Sequence, residues 1–172
     1  PFTSFRPTYI YGPGNYNPIE RWFFDRIIND RPVPIPGNGS WLTQLGHVMD
    51  LAEAMSRSLD FEIASNRIYN CSGKQGVTFL GLAEIAAQVC GKKMEQVKFH
   101  SFEPSCLDIK ARKLFPLRIG HFLTNIDRLE RDIDWSPRYT LEQGLLDSYR
   151  NDYLINPSVN LDFSSDDILI GT

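Results

Sequence analysis

The sequence has little cysteine, only Cys71, Cys90 and Cys106, an odd number without a CxxC spacing. That argues against a disulfide framework and against a zinc centre, and it fits a reducing compartment. No apolar run approaches the roughly 20 residues that a membrane helix needs, so no membrane association is expected. There is no charge excess either: the net charge of -3 gives no reason to expect nucleic acid. Glycine-rich phosphate turns are missing as well. Gly12/Gly14 and Gly37/Gly39 lack a GxxG partner, and neither is expected to open a helix after a parallel strand. Paired or clustered His, Cys and Glu are absent, and only Asp166-Asp167 offers adjacent carboxylates of the kind that suit Mg²⁺.

What is present is an ordinary globular composition, 42% hydrophobic and 23% charged over 172 residues, enough for one domain with a real core. Phe2 to Ile10 mixes β-branched and aromatic residues as a buried strand does, and Tyr11 to Asn15 breaks it with turn chemistry. Asn17-Pro18 reads as N-cap and first turn of a helix ending at Asn29-Asp30. Val33 to Pro36 is extended, Pro36 to Gly39 a turn, and Trp41 to Val48 a strand leading to a helix capped by Asp50. Arg67 to Cys71 is a further strand. Thr78 caps the helix FLGLAEIAAQVC, which Gly91 closes. Val97 to Phe102 alternates like a strand, 103–123 is irregular, a helix starts at Thr124, and Thr140 with Gln143 forms a capping box for the last helix, to about Leu154. Strands alternating with helices make the class α/β, with too few strands for a complete doubly wound sheet.

Charge is unevenly distributed. Lys92 to Arg118 carries seven basic residues (Lys92, Lys93, Lys98, Lys110, Arg112, Lys113 and Arg118) against three acidic ones. Residues 151–172 hold four Asp and no Lys or Arg, and read as an extended acidic tail after a domain spanning 1–150.

Four segments in order carry a resemblance: FRPTYIYGP, GHVMDLAEA, IYNCSG and DWSPRYTLEQGL. Together they resemble the C-terminal half of an extended short-chain dehydrogenase/reductase of the NAD-dependent epimerase/dehydratase superfamily. YIYGPGNYNPIERWFFDRI, TQLGHVMDLA, FPLRIGHF and the tail NDYL…DFSSDDIL are similar to a narrower group, the chloroplast stem-loop-binding proteins and their cyanobacterial relatives.

The resemblance implies a Rossmann-like fold whose glycine turn and catalytic YxxxK pair lie upstream of Pro1. In this sequence Tyr9 is followed four residues on by Pro13 and Tyr149 by Tyr153. NAD(P) is then expected only in a protein that has both halves, with Pro7 and Thr8 passing the cofactor, and none for this chain alone. Tyr9, Gln44 and Arg118 match substrate positions. Gln44 stands in the neighbourhood where sugar-nucleotide enzymes carry a phosphate-clamping Arg, and it cannot make that bidentate contact.

The narrower resemblance implies RNA as partner, extending to metal-dependent endoribonuclease activity. RNA contacts are expected from Lys92, Lys93, Lys98, His100, Lys110, Arg112 and Lys113 together with exposed aromatics, and His121 is the candidate general acid or base. A cyanobacterial-type cytoplasm or the chloroplast stroma is the implied location. The alternative is the substrate half of a nucleotide-sugar epimerase or dehydratase. A strand built for a parallel sheet but lacking its neighbours favours a homo-oligomer, or contact with a separate N-terminal half. A monodisperse monomer in light scattering would contradict that expectation.

Overall fold

The computed structural model describes residues 1–171. Thr172, the last residue of the expected tail, lies outside them. The chain forms β1 (Thr3–Pro7), β2 (Tyr9–Tyr11), α1 (Ile19–Ile28), β3 (Val33–Pro36), β4 (Leu42–His47), α2 (Val48–Arg57), β5 (Arg67–Cys71) and β6 (Gly76–Thr78). It continues with α3 (Phe79–Val89), β7 (Phe99–Phe102), α4 (Ile109–Arg112), α5 (Asp127–Ile133), α6 (Leu141–Ser148) and α7 (Ser164–Ile170). The α/β class stands.

The strands form three small sheets. β1 pairs parallel with β5, from Thr3 opposite Arg67 to Pro7 opposite Cys71. β2 pairs parallel with β4, which turns its start toward antiparallel β6. β3 pairs parallel with β7. Proline is tolerated in β3 because of register. The amides of Val33 and Gly37 donate to the carbonyls of Lys98 and Phe102 at 2.8 Å each, so Pro34 and Pro36 present their missing N–H groups away from β7.

Two cores hold these sheets. The larger gathers Phe23 and Phe24 of α1, Phe79 of α3, Phe102 of β7, Phe115 and Leu145. The smaller wraps Tyr69 and Cys71 of β5 with Ile126, Leu129, Ile133 and Trp135. The run Trp22-Phe23-Phe24 is therefore no exposed stacking platform. Phe23 and Phe24 are buried, and Trp22 packs edge-on against Phe115.

Helix ends follow local chemistry where the cap is local. Thr78 Oγ1 accepts the Gly81 amide at 3.0 Å. Gly91, at φ +74, closes α3 by donating to Gln88 while Lys92 donates to Ala87, the paired bonds of a Schellman motif. Thr140 and Gln143 exchange their capping bonds.

Other expected ends move. Asn17 is not the cap of α1: the helix starts at Ile19 after Pro18, without a side-chain cap. Asp50 is not the cap of α2 either. His47 takes that place, its Nδ1 accepting the Met49 amide, and Asp50 lies inside the helix with its carboxylate turned to the amides of Arg138 and Tyr139. α5 begins at Asp127 rather than Thr124, because the Thr124 amide is drawn to Gln44 and Asn125 Oδ1 accepts from Asp127. The stretch 103–123, expected to be irregular, contains α4, capped by Asp108.

The tail is not extended throughout. Ser164–Ile170 forms α7, with Leu169 buried and Asp166 fully buried against Arg26 of α1. Arg26 Nη2 meets Asp166 Oδ1 at 2.6 Å, and its guanidinium lies over the Trp22 ring at 3.6 Å. Asp166 is thus committed to an arginine and does not fit a Mg²⁺ site with Asp167. No cluster of three or more His, Cys, Asp or Glu suited to a metal occurs among the described residues.

Candidate functional site

The ends of the parallel strands bring several of the expected residues together. β1 ends at Pro7. Thr8 then donates its amide to Cys71 and shares a 2.5 Å hydroxyl contact with Ser72 after β5. Tyr9 opens β2, its hydroxyl accepting the Arg118 amide at 2.8 Å and its ring edge-on to Phe122. So Tyr9 and Arg118, far apart in sequence, meet.

Gln44 has a different place from the one expected. It is buried on β4, donating to the Gly73 carbonyl at 2.7 Å and accepting the Thr124 amide at 2.8 Å. Both ends of its amide brace loops, which is the use a buried amide is forced into when water is excluded. His121 is exposed, and its Nδ1 accepts the Leu42 amide at 3.1 Å, which leaves its ring proton on Nε2.

Within this chain the glycine turn beside the strand ends is Gly12-Pro13-Gly14. It follows a parallel strand, β2, but as expected does not open a helix, because α1 begins only at Ile19. An anion-binding turn needs its amides aimed at open space. Here the Gly12 amide donates at 3.0 Å to Glu20, a buried carboxylate that also accepts from Ser148. The chain's own acid occupies the position, so these residues do not fit a pyrophosphate.

Behind the strand ends lies a polar junction that sequence patterning gives only as caps. His47 is buried, stacked on Tyr139 at 3.8 Å and edge-on to Tyr11. Its Nε2 faces Asp147 Oδ2 at 3.2 Å. Burial pushes the imidazole below its ordinary range, against the pull of Asp147 and Asp50. Burial likewise raises Glu20 and Tyr11. A cavity of about 300 Å³ opens over this junction between the Gly73–Val77 loop and Pro137–Leu141. His47 is therefore a neutral cap and packing group.

The basic residues fall into two groups. Lys92, Lys93 and Lys98 flank the short turn Met94–Gln96 between α3 and β7. Lys92 is ion-paired with Asp30 at 2.7 Å, and His100 Nε2 contacts the Ile170 carbonyl of α7 at 3.1 Å. The acidic tail thus packs on the strand that was expected to face RNA.

Lys110, Arg112, Lys113 and Arg118 form the second group, on the excursion between β7 and α5. All four are exposed, and none has an ion pair among the described residues, a state they share with Lys93, Lys98, Arg6, Arg67, Arg128 and Arg150; what sets them apart is that they lie on one excursion. Arg112, Lys113 and Arg118 line one open concavity. Joining Arg118 to the others needed the tertiary fold, although the shared basic stretch was the visible signal.

Comparison with known proteins bears on this arrangement. Residues 1–72 match the NAD dependent epimerase/dehydratase family. The chain is 41% identical over 170 residues to the chloroplast stem-loop binding protein of 41 kDa b of Arabidopsis thaliana, covering 98% of this chain and 44% of that protein. The family match places residues 1–72 with the epimerase/dehydratases, and the Arabidopsis relative extends the likeness over nearly the whole chain. Solved structures give the same fold. An epimerase from Methanothermobacter thermautotrophicus superposes with a TM-score of 0.73 at 21% identity, covering 91% of this chain and 44% of that one. The dTDP-glucose 4,6-dehydratase of Bacillus anthracis, in complex with NAD, gives 0.66 at 20% identity over 89% and 44%. The chain spans less than half the length of the relatives it matches. No helix among the described residues is long and apolar enough to cross a membrane.

Proposed function

We propose that the chain supplies the RNA-contacting part of an RNA-binding protein built on the extended short-chain dehydrogenase/reductase fold, acting in a chloroplast stroma or a cyanobacterial-type cytoplasm. The observation that carries it is the group of exposed cations without ion pairs on the 104–119 excursion. Cations without internal partners are free to neutralise RNA phosphates, and the release of the counterions condensed on those phosphates drives nucleic-acid binding. The relative named for stem-loop binding directs the reading toward structured RNA. In this reading His121, exposed three residues after Arg118, is the candidate to move a proton at a bound phosphodiester, and strand cleavage is the activity it would serve.

The test is the salt dependence of hairpin RNA binding by the full chain. Replacing Lys110, Arg112 and Lys113 by Gln removes three phosphate contacts and should lower the slope of log affinity against log salt by about 2. An unchanged slope and affinity would refute the reading.

A second reading, the substrate half of a nucleotide-sugar epimerase or dehydratase, is favoured by the bond that joins Tyr9 to Arg118. It is weakened by Gln44, whose amide is already used on both sides. The same titration with a nucleotide sugar in place of RNA separates the two readings.

A further inference from the structure

The basic excursion is more than a charged surface: it borders an open concavity of about 510 Å³ between Pro104 and Ile119. That is within the range of small-ligand pockets. Its lining contains three cations, Arg112, Lys113 and Arg118, and no acid. The two carboxylates that flank the lining in sequence are both used locally: Glu103 accepts from Ser105, and Asp108 caps α4 by accepting the Ala111 amide at 2.7 Å. The floor is apolar and firm, because Phe115 and Leu117 are anchored in the larger core. One wall is Ile109, which stands 76% exposed.

Two of the cations are positioned. Arg112 Nε donates to the Leu107 carbonyl at 3.0 Å, which sets the plane of its guanidinium and leaves the outer nitrogens to a ligand. The Arg118 backbone is tied to the Tyr9 hydroxyl.

We infer that this concavity receives one unpaired nucleotide of RNA, its base against Ile109 and Pro116 and its flanking phosphates on Arg112, Lys113 and Arg118. The inference rests on the RNA-binding reading and goes further, by specifying what part of the RNA is held. A paired helix offers phosphates on a convex surface and needs only charge. An apolar concavity ringed by cations suits a base turned out of its stack, as happens in loops and bulges. Guanidinium planes and aliphatic walls provide the contact that an aromatic platform provides elsewhere.

The experiment measures anisotropy of two labelled RNAs with equal numbers of phosphates, a hairpin with an unpaired loop and a blunt duplex, on the full chain. Ile109→Ser removes the apolar wall, leaves charge untouched, and alters a residue too exposed to matter for folding. It should weaken the hairpin roughly tenfold, leave the duplex nearly unchanged and preserve the salt slope. Equal loss on both RNAs, or no loss on the hairpin, overturns the pocket assignment while the RNA-binding reading survives. Failure of the unsubstituted chain to bind either RNA overturns both. Adenosine monophosphate is added as competitor. Displacement only far above the RNA concentration is expected, and displacement at equal concentration would make a free nucleotide the occupant and contradict the assignment.

Discussion

His47 shows how one buried residue answers several demands at once. Its Nδ1 caps α2, its ring fills the space between Tyr11 and Tyr139, and its Nε2 faces Asp147, with Asp50 close enough to add to the field. Because burial lowers its proton affinity, the unfolded chain takes up the proton first as pH falls below the ordinary value of 6.5. Stability tied to this group is complete above that value and is lost on acidification. Glu20, raised by burial, works in the opposite sense, so the two must be separated by substitution. His47→Asn keeps a cap acceptor and removes the titration. The melting temperature of the variant should fall less between pH 7 and pH 5 than that of the unsubstituted protein. Parallel curves would show that His47 does not titrate differently in the two states.

At the scale of elements, legibility divides by distance along the chain. The Thr78 cap, the Gly91 ending and the Thr140–Gln143 box are read correctly because each is complete within a few residues. Asp50 was misplaced because its partners are the amides of 138 and 139, which only the tertiary fold brings near. β6 was missed because three residues carry no period and need β4 to define them. α7 was missed because its acidic, polar sequence gives no sign that Arg26 lies over it.

That last contact makes a sharp prediction. Asp166→Ala strands a buried guanidinium and should cost about 3 kcal/mol, seen as a lower midpoint in urea. Replacing both partners together, Arg26→Met with Asp166→Leu, should restore most of the loss. An unchanged midpoint for Asp166→Ala would mean that α7 is not docked in solution.

On the scale of the whole molecule, the strand ends and the basic excursion belong to different kinds of chemistry. The first brings Tyr9 and the Arg118 backbone into contact, with the Gly12 amide held by Glu20 and Gln44 braced between two loops. The second gathers three exposed cations, Arg112, Lys113 and Arg118, around one apolar-floored concavity. Neither was fully legible beforehand. The basic stretch was visible as composition, but its division by the Lys92–Asp30 pair and the packing of α7 against His100 came from folding.

The central claim is that RNA meets this chain on the 104–119 excursion. The most direct measurement is ultraviolet cross-linking of a hairpin RNA to the full chain, followed by mass mapping of the adduct peptides. The account predicts adducts concentrated between residues 104 and 119. Adducts confined to residues 1–72, with that excursion unmodified, would contradict it.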